Sequence, residues 1–173
     1  MAELKESLLE RREVFRGRVL TLFLDRVRLP DGREATREVL RHPGAVAVVA
    51  QRDDGRVVLV RQFRHAVGQE LLELPAGKLG PGEDPLDCAR RELEEETGYR
   101  AGRWERLGSF LTSPGFTDEI MHLFLARELV PGWHRPDDDE FLEVVEADPA
   151  ELLRTGGILD GKSILGLLLL GRS

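Results

Sequence analysis

The chain has a single cysteine, Cys88, which excludes an intrachain disulfide and leaves no second thiolate with which to build a sulfur metal site. Long apolar runs are also missing. The one extended stretch, Ile164 to Leu170, is far too short to cross a bilayer and lies behind Lys162 near the C-terminus, where it reads as a docking helix. Positive charge is in deficit, with 25 Lys and Arg against 32 Asp and Glu and a net charge of -7. That balance excludes a general nucleic-acid binder, because phosphate backbones are held by clustered positive charge. An acidic protein that handles phosphates must instead concentrate its arginines or borrow a cation. The first residues, Met-Ala-Glu-Leu-Lys-Glu, contain no continuous apolar segment, so no secretory signal is expected and the expected location is cytoplasmic. His42, His65, His122 and His134 fall at no metal-ligand spacing and are read as structural or exposed.

What remains is a chain of 173 residues, 41% hydrophobic and 33% charged, a length and composition that fit one globular domain with a real core. Glu3 to Arg12 is compatible with a short helix. From Gly17 to Leu40, apolar and polar residues alternate around Pro30-Asp31-Gly32, which predicts a hairpin. Ala45 to Ala50 and Arg56 to Phe63 flank Asp53-Asp54-Gly55 and predict a second one. Leu71 to Leu74 reads as a short strand that ends at a loop, Pro75-Ala76-Gly77. A helix follows, with Asp84 as N-cap, Pro85 at its first position, Gly98 as its stop and an apolar stripe of Leu86, Ala89 and Leu93. Strands are expected at Trp104 to Leu111, Met121 to Glu128 and Phe141 to Val145, and helices at Pro149 to Arg154 and Lys162 to Leu170. The pattern predicts an α+β fold of α/β/α sandwich type with a mixed central sheet.

The helix from Pro85 to Thr97 is electrostatically odd. Glu92, Glu94, Glu95 and Glu96 crowd its C-terminal end, where the macrodipole favours cations. Glu92 and Glu96 lie one turn apart on one face beside the apolar stripe, so they repel each other and resist desolvation unless something positive sits between them. A hard divalent cation removes that conflict. Magnesium takes oxygen ligands, commonly a few carboxylates with water and substrate phosphate.

The segment runs Gly77, five residues, Glu83, seven residues, Arg91-Glu92-Leu93, one residue, Glu95-Glu96, one residue, Gly98, Tyr99. This resembles the Nudix box and matches every fixed position; Tyr99, at a position that usually holds a small aliphatic residue, is the one departure. The resemblance implies hydrolysis of a nucleoside diphosphate linked to another moiety. It makes Glu92, Glu95 and Glu96, with the main-chain carbonyl of Ala76, the ligands of one to three magnesium ions, with manganese as an alternative. Arg91 would fix the glutamates, Glu83 would partner Arg91, and Gly77 would permit the tight loop.

Residues outside the box resemble the ADP-ribose pyrophosphatase branch of the family. Ser113-Pro114-Gly115-Phe116-Thr117-Asp118-Glu119 is similar to a stretch of that branch, as is Val60-Arg61-Gln62-Phe63-Arg64. The likeness implies substrate contacts from Ser113, Gly115 and Glu119, and a substrate phosphate on Arg64, whose planar fork suits phosphate oxygens. Arg37 and Glu38 match a nucleotide-binding pair, and Arg18 and Val19 match the edge of the adenine pocket. The likeness spans about Arg11 to Val145. It implies an N-terminal extension over residues 1–42, a Nudix core over 43–173 and a homodimer paired through the extension.

The expected reaction splits ADP-ribose into AMP and ribose 5-phosphate, with no nucleic-acid or membrane partner. The acidic run Asp137 to Glu140 precedes a strand and could supply a general base; the resemblance implies Glu140 in that part, with Glu143 or a loop aspartate next. Two alternatives are another nucleotide sugar, GDP-mannose or ADP-glucose, and a non-catalytic Nudix sensor. Sensors typically lose the metal glutamates, and all three are present here.

Overall fold

The computed structural model describes residues 3–135 and 141–171. The chain forms two compact units: Met1–Gly44 with Leu111–Ile120, and Ala45–Phe110 with Met121–Ser173. The smaller unit carries a three-stranded antiparallel sheet, β1 (Ser7–Arg16), β2 (Thr21–Arg28) and β3 (Glu34–Arg41), in that order. The expected β2–β3 hairpin is there, turning at Pro30–Gly32.

The expected helix over Glu3 to Arg12 is not. Ser7–Arg16 is a strand paired to β2 from Ser7↔Arg28 to Arg16↔Thr21. Leu, Glu and Arg favour a helix in isolation, but long-range partners override the local preference. Arg11 donates from Nε and Nη2 to Asp25 at 2.8 and 2.6 Å and lies over the Phe23 ring. Asp25 is buried, so these bonds stabilise the extended form where a helix would leave a buried carboxylate unpaired.

The larger unit is built on a mixed seven-stranded sheet. Its path runs β10 (Leu142–Ala147), β5 (Val57–Arg64), β4 (Ala45–Gln51), β9 (Ile120–Pro131) and β8 (Tyr99–Leu111); β6 (Gln69–Glu73) pairs with β5, and β7 (Ala76–Lys78) with β4. β4 and β9 run parallel while β5 runs antiparallel to β4, β6 and β10. The expected loop at Pro75–Gly77 is thus largely strand. Ala76 and Gly77 pair with Ala47 and Val46, and Pro75, which has no N–H to give, offers its carbonyl to the Val48 N–H at 2.9 Å.

Strand β4 explains the sandwich. Its residues are buried on both faces, and period-two alternation sends Ala45, Ala47 and Val49 into one core and Val46, Val48 and Ala50 into the other. The first core is closed by α2 (Pro149–Thr155) and α3 (Gly161–Leu170), through Leu152, Leu153, Ile164, Leu167 and Leu170. The second is closed by α1 (Pro85–Thr97), through Cys88, Ala89 and Leu93. Each face holds a helix, giving the expected α+β sandwich. Among the described residues no helix is long and apolar enough to cross a membrane.

Candidate active site

Helix α1 begins and ends where its sequence says. The Asp84 side chain accepts from Leu86 N at 2.8 Å, Pro85 occupies the first turn, and Gly98 takes φ 71° and returns its N–H to the Glu94 carbonyl. The last turn holds no basic residue. Both the dipole and mutual repulsion therefore oppose Glu92, Glu95 and Glu96, and two sets of donors meet this, one on the helix itself and one on β7.

Arg91 is the first. Its Nη1 donates to Glu92 Oε1 at 2.8 Å and to Glu95 Oε2 at 2.9 Å. Its other edge grips Glu83, with Nε to Oε1 at 3.0 Å and Nη2 to Oε2 at 3.2 Å. Glu83 in turn accepts from the Gly80 N–H at 2.7 Å. Arg91, with that backbone donor, holds the Glu83 carboxyl down to about 2, and its carboxylate neighbours push Arg91 itself upward. One guanidinium thus ties the loop before the helix to two helix carboxylates, the structural role expected of Arg91 and Glu83.

The second donor is the backbone of β7. Glu96, 2% exposed, accepts from the Ala76 N–H at 2.9 Å. Glu92, 9% exposed, lies against Gly77 so closely that a Cβ there would fall 1.9 Å from its carboxyl carbon. Only glycine fits. The crossing of β7 under α1 therefore brings Ala76, Gly77, Glu92 and Glu96 together, with Glu95 joined through Arg91.

Among the described residues no three His, Cys, Asp or Glu side chains are already gathered at metal-ligand spacing. The donors that are close are all hard oxygens, on carboxylates whose seats are fixed by backbone. That chemistry suits magnesium or a similar ion, which keeps several waters and needs only one or two carboxylates besides substrate phosphate. It does not suit a soft metal. Cys88 lies buried beside the cluster, where burial pushes its thiol up to about 12, so it is neither thiolate ligand nor nucleophile.

Arg64 ends β5 and donates to Glu73 through Nε at 2.7 Å and Nη2 at 2.8 Å. Glu143 lies on β10, ion-paired with Arg61 across to β5. Glu140 lies outside the described residues. In the smaller unit, Arg18 and Val19 sit on the exposed bend between β1 and β2, and Arg37 and Glu38 are on β3, with Arg37 ion-paired to Glu6. Ser113 and Gly115 belong to a turn in which the Ser113 carbonyl accepts from Phe116 N at 3.1 Å and Thr117 N at 3.0 Å. Glu119 accepts from Thr112 Oγ1 at 2.7 Å and lies 3.5 Å from His42 Nδ1.

Sequence reasoning passed over Glu73, Lys162, Asp160 and Ser163, a network of the larger unit in which Glu73 and Ser163 are buried and Lys162 and Asp160 partly so. One signal was available: a lone glutamate inside the apolar run Leu71–Leu74, which must find a cation if it is buried.

Residues 41–165 match the NUDIX domain, and residues 6–40 match the nucleoside diphosphate sugar hydrolase N-terminal domain. The chain is 44% identical over 168 residues to an ADP-ribose pyrophosphatase of Bacillus subtilis, spanning 94% of this chain and 91% of that one. A methanol dehydrogenase activator of Bacillus methanolicus is 42% identical over the same shares. A crystal structure of an ADP compounds hydrolase shares the fold, with a TM-score of 0.86, 24% identity, and coverage of 98% of this chain and 95% of that one. The box on α1 and these likenesses define a pyrophosphohydrolase of the class that generally works with divalent metals. The chain belongs to the Nudix family.

The seat of Glu92 yields a direct test. Gly77→Ala places a methyl group where the Glu92 carboxylate now sits, so turnover should fall by roughly 10- to 100-fold, the scale of disturbing the contacts that orient a site's side chains. Activity within about twofold of the parent, in steady-state assay, would show that this seat does not matter.

Proposed function

We propose that the protein hydrolyses ADP-ribose at its pyrophosphate, adding water across the P–O–P bridge to give AMP and ribose 5-phosphate. The observation that carries this reading is the seating of Glu92 and Glu96 against Gly77 and Ala76, which packs two box carboxylates side by side as a hard-oxygen donor set. The identity to the Bacillus subtilis ADP-ribose pyrophosphatase over nearly the whole chain supports the choice of substrate.

Glu92, Glu95, Glu96 and the Ala76 carbonyl would hold magnesium, with manganese a substitute. When bound, the ion supplies positive charge to the diphosphate oxygens and acidifies a water. Arg64 is assigned to a phosphoryl group, Arg18, Val19, Arg37 and Glu38 to the nucleotide, and Ser113, Gly115 and Glu119 to the rest of the substrate. Glu140 would take the proton from the attacking water, and Glu143 would stand in if it does not. Glu143 is already ion-paired to Arg61 across β5 and β10, which ranks it second for that part.

We also propose a cytoplasmic homodimer. In a single chain every residue of β1 is exposed, and Leu4, Leu8, Leu9, Val14, Phe15 and Val19 present apolar surface over one short stretch. Apolar surface concentrated in this way supports a second copy as its cover. Sedimentation equilibrium should give twice the 19.5 kDa chain mass; a monomer at micromolar concentration would contradict the pairing.

The substrate is tested by a panel of ADP-ribose, ADP-glucose, GDP-mannose and nucleoside triphosphates with magnesium, reading released phosphomonoester. ADP-ribose should give the highest kcat/KM, by about tenfold or more over the other sugars. A higher value for GDP-mannose would overturn the substrate and leave the reaction class standing.

A further inference from the structure

Three elements of the larger unit converge on one buried carboxylate. Glu73, at the end of β6, is 1% exposed, and two cations share it. Arg64 gives it the side-on fork described above, and Lys162, in the first turn of α3, gives its Nζ to the same carboxylate. Lys162 also meets Asp160 Oδ2 at 3.0 Å. Burial pushes the Glu73 carboxyl up, but Arg64 and Lys162 together outweigh that and hold it at about 2. Glu73 is therefore an anion throughout the neutral range.

The arithmetic of donors leaves Arg64 unfinished. A guanidinium has five N–H donors in a rigid plane, and Glu73 engages only Nε and Nη2. Among the described residues Nη1 has no hydrogen-bond partner. The arithmetic of charge matters equally. An arginine matched to one carboxylate presents little net charge to a phosphate, whereas one whose carboxylate is shared with a lysine is neutralised less completely. Asp160 does not cancel the lysine outright. Its Oδ2 caps α3 by accepting from Ser163 N at 3.0 Å, where the helix N-terminus offsets its charge.

The platform beneath Lys162 is rigid. A Cβ on Gly166 would fall 2.6 Å from Leu74 Cδ1 and 2.9 Å from Val49 Cγ2, so α3 lies as close to the sheet as its backbone allows. The Leu74 N–H donates to Ser163 Oγ at 2.8 Å, which registers the start of α3 against the residue next to Glu73.

We propose that Lys162 is a positioning residue for diphosphate recognition: by sharing Glu73 it fixes the Arg64 guanidinium with its outer donors available to a phosphoryl group and leaves that guanidinium less neutralised than an unshared carboxylate would. This rests on the assignment of Arg64 to a substrate phosphate. A plain staple for α3 would alter melting and leave substrate affinity alone.

The test compares the full-length parent with Lys162→Met, Lys162→Arg and Arg64→Gln, alone and combined. Calorimetry with ADP-ribose in metal-free buffer reads binding, and steady-state kinetics with magnesium read KM and kcat. Lys162→Met should weaken binding and raise KM by about tenfold with kcat within about twofold, and Lys162→Arg should recover most of the loss. In the Arg64→Gln background the Lys162→Met effect should disappear. A folded Lys162→Met protein with parental Kd and KM overturns the proposal, as does a Lys162→Met effect that persists undiminished without Arg64. If Lys162→Met loses its cooperative melt, Lys162→Gln takes its place; raised KM supports the role and parental KM rejects it. Should the parent bind ADP-ribose without cleaving it, the hydrolase reading falls, while the calorimetric arm still decides the role of Lys162.

Discussion

A single guanidinium, that of Arg91, makes the acidic helix possible. Three glutamates near the C-terminal end of α1 repel one another and oppose the helix dipole. Two of them are nearly out of contact with water, where an ion costs several kcal/mol to desolvate. Arg91 bonds Glu92 and Glu95 with one nitrogen and Glu83 with the other edge, so the loop that precedes the helix is locked to the face that carries the acids. Backbone completes the seat: Gly77 gives room for Glu92, and the Ala76 N–H holds Glu96. A helix that would be poor in isolation becomes a rigid presentation of hard oxygen donors, which is what a cation bridging protein and diphosphate requires.

Strand β4 and the short segment from Glu73 to Gly77 explain why this seat does not move. β4 is buried on both faces and divides the larger unit into two cores. The segment beside it is bonded at every step: Glu73 to Arg64 and Lys162, Leu74 N to Ser163, the Pro75 carbonyl to Val48 N, and Ala76 N to Glu96. Five residues thus connect the C-terminal helix on one face of the sheet to the acidic helix on the other. Displacement of either helix would strain the same strap.

How much of this was legible in the sequence depends on the range of each interaction. The start and stop of α1 follow from Asp84, Pro85 and Gly98, signals that act within a turn of the chain. Both predicted hairpins follow equally from local turn chemistry. The strand β1 was hidden, because its Leu, Glu and Arg residues favour a helix locally and it is the pairing with β2, with Arg11 reaching Asp25 fourteen positions on, that draws them into a sheet. Likewise Pro75-Ala76-Gly77 carries turn composition, but the edge of β4 converts it into strand. The glutamates of the box were legible as a pattern, while the pairing of Glu73 with Lys162, 89 residues apart, leaves no periodic trace at all.

The central claim is that the carboxylates of α1 capture a divalent cation that grips a diphosphate. The most direct measurement is an electron paramagnetic resonance titration of manganese into the metal-free protein with ADP-ribose present. The account predicts loss of the free-ion signal at stoichiometric protein, and its retention when Glu96 is replaced by Gln in a protein that still melts cooperatively. Equal manganese uptake by parent and Glu96→Gln, or no uptake by the parent, would contradict it.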